Sequence, residues 1–179
     1  VYDDETRVNL VGIVPWLVTA LNDLYSAHSD EQYATLAFEL QDWIDGAFFY
    51  HPRRCRYPDY LGASFKIHTE LPAINSCQYA EGAANAYSLA KACGNPSYRE
   101  QRRILLLQSL RFCLNLQFDM YGSTFFLPEV ERARGGYRYT LGHLHLRSDY
   151  NYHAMAALAQ AIAFLDEGEW GVDDVDIPA

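Results

Sequence analysis

The chain has 179 residues, of which 50% are hydrophobic and 15% aromatic, and its formal net charge at pH 7 is −9. This length and composition are typical of a globular domain with its own core rather than of a disordered chain. The acidic balance disfavours nucleic acid and anionic membranes as partners, because both are bound through basic surfaces. No apolar run approaches the ~20 residues of a membrane span. We therefore expect one soluble domain over residues 1–179.

The first half of the chain predicts a helical hairpin. Apolar residues spaced by three and four indicate helices over Val8–His28 and Glu31–Phe49. Pro15 either starts or kinks the first helix. The short connection, with Asp30 as a good N-cap, makes the two helices antiparallel. The apolar pattern of the first helix includes Val14, Leu17, Leu21 and Leu24, and the buried face predicted for the second helix includes Leu36, Ala37, Trp43 and Ile44.

The stretch Asn75–Gly94 mixes small residues with polar and aromatic ones, and it predicts a third helix. A helix that only filled a core would carry more Leu and Ile, and a surface helix would carry more Lys and Glu. We therefore expect an inner helix of a helical assembly, packed by its small residues and directing polar groups into a cavity. Gly94 suits its C-terminal cap, and Pro96 suits the first turn of a fourth, apolar helix over Ser97–Phe118.

Two long loops, His51–Pro72 and Asp119–Ser148, interrupt the helical pattern. Long ordered loops in compact domains are often functional. In the second loop, the alternation of Tyr137, Tyr139 and Leu141 favours an extended segment or a hairpin arm.

A fifth helix is predicted at Asp149–Asp166, and Glu167–Ala179 is expected to be a frayed acidic tail. A shift of about 65 residues aligns the first hairpin with the second, with Asp30 falling on Asn95. The repeated unit is an inner helix, an outer helix and a long loop, and each unit buries its apolar face only by stacking on a neighbour. The predicted fold class is all-α, with about five main helices in antiparallel hairpins.

Two segments, Gln78–Tyr98 and Gly135–Leu158, resemble the α/α-toroid proteins: the six-hairpin glycosidases, the N-acylglucosamine 2-epimerase-like enzymes and the terpenoid-cyclase-like barrels. The resemblance implies an active site at one end of the toroid, lined by the starts of inner helices and the loops before them. The chain has about two and a half hairpins where a closed toroid needs six. It is therefore expected to be an incomplete α/α-toroid, either a piece of a larger chain or an open arc. An open arc would expose apolar flanks and favour self-association.

Acidic side chains are the first candidates for chemistry. Glu81, near the start of the third helix, could face Asp149 or Glu129 across a cavity. Two carboxylates separated by ~5–10 Å can hydrolyse a glycosidic bond, one of them acting as the acid. The alternative is that Glu81 is structural and pairs with Arg138 or Arg132, because a buried carboxylate needs a partner in either case.

Residues that could bind a substrate are expected around the same end of the helices. Aromatic rings stack on sugar rings, and hydroxyl groups orient them. The alternative is that the aromatic residues only pack the long loop onto the helix ends. The predicted set is Gln78, Tyr79, Arg138, Tyr152 and His153.

A zinc site is a further hypothesis. His143 and His145 would point the same way in an extended segment, and Asp149 and His153 lie one helical turn apart. Two such pairs could converge on a zinc ion, the only cofactor that the sequence suggests. The alternative is that Asp149 caps the fifth helix while the histidines line the loop.

The sequence thus predicts a carbohydrate-active enzyme domain, a glycoside hydrolase or a sugar epimerase-like protein that uses carboxylate acid/base chemistry. The alternative is a non-catalytic helical scaffold that binds a peptide or protein. A second copy of the chain, or the remainder of a larger chain, is a further expected partner. Cys55, Cys77, Cys93 and Cys113 include no metal-binding spacing and are read as unpaired, and no secretory signal is visible. We therefore expect a cytoplasmic protein.

Overall fold

The computed structural model describes residues 4–48, 55, 57–64, 71–118, 127 and 129–171. The predicted all-α class is confirmed, because helices make up most of the described residues. Of the two alternatives for the second loop, an extended segment or a hairpin arm, the structure has the hairpin, in which two short strands pair antiparallel. The helices are α1 (Asp4–His28), α2 (Glu31–Phe48), α3 (Asn75–Ala92), α4 (Pro96–Leu116), α5 (Val130–Ala133) and α6 (Ser148–Phe164), and the strands are β1 (Arg138–Thr140) and β2 (His143–Leu146).

Helices α1 and α2 form the first hairpin. Ser29 adopts a positive φ of 54° between them, and the carboxylate of Asp30 accepts a hydrogen bond of 2.9 Å from a backbone N–H in the first turn of α2. Pro15 lies inside α1 rather than at its start. One turn before it, the carbonyl oxygen of Gly12 accepts a hydrogen bond of 2.5 Å from the side-chain amide of Gln78. This bond links α3 to α1 one turn before the proline.

Helix α3 is the element on which the other helices pack, and it contacts α1, α4 and α6. Most of its residues are buried. A Cβ atom on Gly82 would lie 2.9 Å from the Cα atom of Pro15, so the glycine is required for the close approach of α1. On the other side, α6 presents three fully buried alanines, Ala154, Ala157 and Ala161. The prediction of a helix inside a helical assembly, packed by small residues, is confirmed.

The sequence between α3 and α4 also folds as predicted. Gly94 has a φ of 66°, a left-handed conformation that ends α3, and Pro96 occupies the first turn of α4. Asn95 caps α4, because its side-chain oxygen accepts a hydrogen bond of 3.1 Å from the backbone N–H of Tyr98.

The long helices form two layers. In one layer, α1, α3 and α6 lie side by side with α3 in the middle, and we refer to these three as the inner row. In the other layer, α2 packs on α1 and α4 packs on α3. The two hairpins agree with the predicted repeat, and the closure of such hairpins into a toroid remains a prediction.

Leu36 and Trp43, which were predicted to lie on the buried face of α2, are exposed. In α1, Val14 and Leu21 of the predicted apolar pattern are buried together with Val18, whereas Leu17 and Leu24 of the same pattern are exposed. The physical reason is that α1 packs mainly on α2 and α3, so the side of α1 that is turned away from both has few helical contacts among the described residues. The apolar pattern of α1 is too wide to show which side that is.

The start of the predicted acidic tail is ordered rather than frayed. Glu167–Glu169 form a short 3-10 turn. The carboxylate of Glu169 accepts hydrogen bonds from the hydroxyl of Tyr87 at 2.6 Å and from the guanidinium of Arg99 at 2.5 Å. Arg103 donates to the backbone carbonyls of Glu169 and Gly171 at 2.8 and 2.7 Å. Residues 172–179, like residues 51–54, 56 and 65–70 of the first long loop, lie outside the described residues.

The four cysteines carry free thiols, as predicted, and Cys77 and Cys113 are buried. Burial raises the pKa of Cys77 well above its usual value, with the neighbouring Cys113 thiol contributing. Among the helices of the described residues, none has the length and apolar character needed to cross a membrane.

Candidate functional site

Glu81 and His153 meet where α3 packs against α6. The Nδ1 atom of His153 lies 2.9 Å from the Oε2 atom of Glu81, and the two side chains are 16% and 6% exposed. A carboxylate only accepts hydrogen bonds, so the Nδ1–H of the ring donates to it. Within the part of the chain that the structure describes, Nδ1 is the only ring nitrogen with a hydrogen-bond partner. Nε2 is therefore the nitrogen that remains for an external group.

Two half-exposed aromatic rings flank His153. The ring of Trp16, from α1, lies 5.8 Å from the imidazole between centroids, with an angle of 30° between the planes. The ring of Tyr152, from α6, lies 5.2 Å away and nearly edge-on. Both aromatic side chains are more than half exposed. The buried Glu81–His153 pair thus reaches solvent between two aromatic surfaces.

Asn85 ties together the three helices that carry the site. Its Nδ2 atom lies 3.0 Å from the hydroxyl of Thr19 and 3.0 Å from the side-chain oxygen of Gln160, and its Oδ1 atom accepts a hydrogen bond of 3.0 Å from Asn22. The same Nδ2 atom lies 2.9 Å from the backbone carbonyl of Glu81. Because these partners belong to α1, α3 and α6, Asn85 fixes the spacing of the inner row, and with it the position of Glu81 against His153.

The other predicted carboxylates have partners elsewhere. Asp149 is half exposed, and its two oxygens each accept a hydrogen bond of 3.0 Å from the guanidinium of Arg147. Glu129 pairs with Arg132 at 2.8 Å on the surface. The structure therefore shows no contact between Glu81 and either of them. Each carboxylate is bound by an arginine only two or three residues away in the chain. The expectation that they would face Glu81 did not take these nearby arginines into account.

The predicted basic partner of Glu81 is corrected by the structure. Neither Arg138 nor Arg132 contacts Glu81, whose partner is His153. Arg138 is buried and donates a hydrogen bond of 2.8 Å to the backbone carbonyl of Asn115. Its guanidinium also lies 5.7 Å from the centre of the Phe118 ring. Arg138 therefore fastens the hairpin region to the end of α4.

The residues predicted to bind substrate separate into two groups. His153 and Tyr152 lie at the site, whereas Gln78 supports α1 beside Pro15. Tyr79 is 1% exposed, and its hydroxyl donates to the carboxylate of Asp45 on α2. Tyr79 stands two positions before Glu81, and two positions along a helix lead to nearly opposite sides. This separation explains why the two side chains serve different neighbours.

The residues of the predicted zinc site do not come together. The rings of His143 and His145 lie 4.4 Å apart between centroids, on one side of β2 as expected for alternating strand positions. Asp149 is bound by Arg147, and His153 is bound by Glu81. Among the described residues, no group of three or more His, Cys, Asp or Glu side chains is arranged to hold a metal ion.

A second buried polar cluster joins α2 and α4 to α3. Arg102 on α4 is fully buried, and its guanidinium pairs with Asp42 at 2.7 Å and also with Asp45. The guanidinium lies 4.3 Å from the centre of the Tyr98 ring. Burial raises the pKa of Asp45, while Arg102 and the hydroxyl of Tyr79 act in the opposite direction. These contacts fasten α2 to α4 on the side away from His153.

Five residues of the site were not among the predicted site residues: Trp16, Thr19, Asn22, Asn85 and Gln160. A signal for three of them is present in the sequence, because Trp16, Thr19 and Asn22 are spaced by three within an otherwise apolar run. Such spacing places them along one side of a helix. Gln160 stands among alanines with no comparable signal.

The fold and the site together define a helical protein with a buried Glu–His pair that opens between aromatic rings. Comparisons of the chain with protein-family models, with curated proteins and with solved structures found no match.

Proposed function

We propose that the chain is a carbohydrate-active enzyme domain in which His153 transfers protons and Glu81 orients its ring. The observation that carries this proposal is the 2.9 Å contact between Nδ1 of His153 and the buried carboxylate of Glu81. A carboxylate behind an imidazole fixes the tautomer and stabilises the imidazolium that forms when the ring takes a proton. Nε2 is then the atom that removes a proton from a bound molecule and returns it.

Proton transfer of the epimerase type is better supported than hydrolysis by two carboxylates. Glycoside hydrolysis needs a second carboxylate ~5–10 Å away across the substrate. Asp149 and Glu129 are each engaged by an arginine. In the proposed step, Nε2 of His153 takes the proton from a carbon beside a carbonyl group, and the electron pair moves to the carbonyl oxygen. Return of the proton to either face of that carbon completes the reaction.

The surroundings of His153 support a sugar-like substrate. The half-exposed rings of Trp16 and Tyr152 offer apolar faces on which a sugar ring can stack. The described contacts of Glu81 and His153 include no lysine or arginine, which favours a neutral sugar over a phosphorylated one.

Exchange of solvent deuterium into substrate tests this function directly. The protein is incubated in D₂O with free aldoses, ketoses and N-acylhexosamines, and proton NMR follows the loss of the signal beside the carbonyl group. Wild type is expected to exchange at least one of them, and His153→Gln to lose about 10²–10⁴-fold in rate. The exposed His145→Gln is the matched control and should keep the wild-type rate. No exchange by wild type, or equal exchange by His153→Gln, would overturn the proposal.

The exposed apolar faces of α1 and α6 favour a second function, that of a helical scaffold for a peptide or protein. Under this alternative the Glu81–His153 pair only fastens α3 to α6. His153→Gln would then lower the free energy of unfolding, while wild type would exchange deuterium into no sugar of the panel. The exchange measurement therefore separates the two functions.

A further inference from the structure

His143 and His145 form a pair of exposed imidazoles on β2. They occupy alternate positions of the strand, and alternate positions point to the same side of a sheet. The centres of the two rings lie 4.4 Å apart, and the ring planes are nearly perpendicular. Among the described residues, no hydrogen bond is made to either imidazole, so the ring nitrogens are available to an external group.

The spacing of the two rings matches that of two imidazoles bound side by side to one metal ion. A metal–nitrogen distance of about 2.1 Å places the metal about 3.2 Å from the centre of each ring. Two such rings have centres about 4.5 Å apart when the angle at the metal is about 90°, and about 5.2 Å apart in a tetrahedral site. The observed 4.4 Å agrees with the first value. The pair therefore suits the tetragonal ions Cu²⁺ and Ni²⁺ better than the tetrahedral zinc ion that the sequence suggested.

The surroundings of the pair favour a cation. The ring of Tyr139 lies edge-on to His143, 5.8 Å away between centroids, and it stacks on Tyr150 of α6 at 5.6 Å, so His143 stands beside an aromatic pair that is anchored to a helix. Arg147 follows in the chain, but its guanidinium is paired with the carboxylate of Asp149 through two hydrogen bonds of 3.0 Å. The net charge of −9 attracts cations to the chain as a whole.

We propose that His143 and His145 form a surface site for Cu²⁺ or Ni²⁺, in which each ring supplies one nitrogen and water fills the remaining positions. Imidazole nitrogen is a ligand that these ions prefer, whereas Mg²⁺ and Ca²⁺ take oxygen. Because both ligands come from one strand, binding requires only the rotation of two exposed side chains. The water positions leave the bound ion open to a ligand from a second molecule.

The pair is separate from the proposed proton-transfer site. His153 is bound through Nδ1 by Glu81, and neither His143 nor His145 has a described hydrogen bond or ring contact with these two residues. The proposal therefore stands or fails independently of deuterium exchange, for which His145→Gln serves as a control.

Isothermal titration calorimetry of the untagged protein with NiCl₂ tests the site at about pH 7.5, because an imidazole binds a metal ion only when it is deprotonated. Wild type is expected to bind one Ni²⁺ at the pair. His143→Gln and His145→Gln should each weaken this binding by at least about 10-fold, because the second ligand is no longer held close to the first. His28→Gln, at another exposed histidine, is the matched control and should keep the wild-type affinity. MgCl₂ should give the same titration with wild type and with the double variant.

Circular dichroism verifies that each variant is folded, and Asn replaces Gln in one that is not. The ring signals that change in proton NMR when Ni²⁺ is added should be those that disappear in the two variants. Nickel binding by wild type that is no tighter than that of the double variant would overturn the proposal. A loss confined to one of the two single variants would also overturn it, since one imidazole would then hold the ion alone. Zn²⁺ bound more tightly than both Ni²⁺ and Cu²⁺ would contradict a tetragonal site.

Discussion

Glu81 and His153 are 72 residues apart in the chain, and their side chains lie 2.9 Å apart in the fold. The contact joins the middle helix of the inner row to its last helix. A carboxylate as buried as that of Glu81 is costly without a partner, and the imidazole Nδ1–H is its described partner. The pair therefore links the stability of the α3–α6 contact to the proposed chemistry, and the two roles can be separated by choice of substitution.

Removal of the Glu81 carboxylate should destabilise the fold. Glu81→Ala leaves the Nδ1–H of His153 without an acceptor and opens a small cavity, so we expect the free energy of unfolding to fall by about 2–4 kcal/mol. Glu81→Gln keeps an acceptor oxygen and should cost about 1 kcal/mol or less. Urea denaturation followed by circular dichroism measures both. Glu129→Ala, at an exposed surface pair, should stay within about 0.5 kcal/mol of wild type.

Asn85 should be among the most sensitive polar residues of the inner row. Asn85→Ala removes the partner of the buried Asn22 and the links to Thr19 and Gln160. We expect a loss of about 2–4 kcal/mol in the free energy of unfolding, because several polar groups lose their hydrogen bonds at once. The control is Asn115→Ala on the exposed side of α4, for which a change below about 0.5 kcal/mol is expected. Equal effects of the two substitutions would contradict the central role of Asn85.

Local signals in the sequence predict where the helices begin and end, but they do not predict which side of each helix is buried. Gly94 and Pro96 mark the end of α3 and the start of α4, because each acts through the backbone conformation of its own residue. Which side of α1 is buried, by contrast, is not determined by the backbone conformation of its own residues. Leu17 and Val18 are both apolar, and only the position of α3 makes Val18 buried and Leu17 exposed. The sequence contains no comparable signal for that position.

The site shows the same division. Glu81 is recognisable as a carboxylate among small residues, and this pattern predicts that it has a partner. The identity of the partner depends on which helix lies opposite, so Arg138 and His153 could not be distinguished from the sequence alone. For Asp149 the partner is close in the chain. Helix spacing placed Asp149 beside His153 in the predicted zinc site, but its carboxylate is bound by the nearby Arg147.

The hydrogen bonds that the Glu169 carboxylate accepts from Tyr87 and Arg99 should make the free energy of unfolding depend on pH. Burial alone would raise the pKa of Glu169, but the hydroxyl of Tyr87, a backbone N–H and the guanidinium of Arg99 together lower it from 4.5 to about 2. A carboxylate with a lowered folded-state pKa stabilises the fold above its unfolded pKa, and this stabilisation is lost as the pH falls from about 4.5 towards 2. Because Arg99 and Asp166 are partly solvated, we expect the contribution at pH 7 to be about 1–2 kcal/mol.

Glu169→Gln is the substitution that measures this contribution. Its free energy of unfolding should be lower than that of wild type at pH 7, and the difference should shrink as the pH approaches 2. The exposed Glu167→Gln, in the same turn, serves as the control and should follow the wild-type curve. A difference between Glu169→Gln and wild type that stayed constant from pH 7 to pH 2.5 would mean that the ionised carboxylate contributes nothing through these bonds.

Two helical glycines should respond in opposite directions to the same change. Within a helix, Gly→Ala normally stabilises by up to about 1 kcal/mol, because alanine loses less backbone entropy on folding. At Gly46, near the end of α2, the added methyl group would have no neighbouring atom within 4 Å, so Gly46→Ala should give this gain. At Gly82 the methyl group would lie 2.9 Å from Cα and 3.0 Å from Cβ of Pro15. Gly82→Ala should therefore destabilise by about 1–3 kcal/mol, because α1 must move away from α3.

That displacement has a second expected effect, which distinguishes it from a general loss of helix stability. Trp16 is next to Pro15 in α1 and lies against His153, so movement of α1 should separate the two rings. Tryptophan emission depends on the surroundings of the ring, so the emission of Trp16 should change in Gly82→Ala but not in Gly46→Ala. Trp43 and Trp170 also emit, so each measurement is made against the corresponding Trp16→Phe variant. If Gly82→Ala stabilised the fold as much as Gly46→Ala, the close contact between α1 and α3 would not exist in solution.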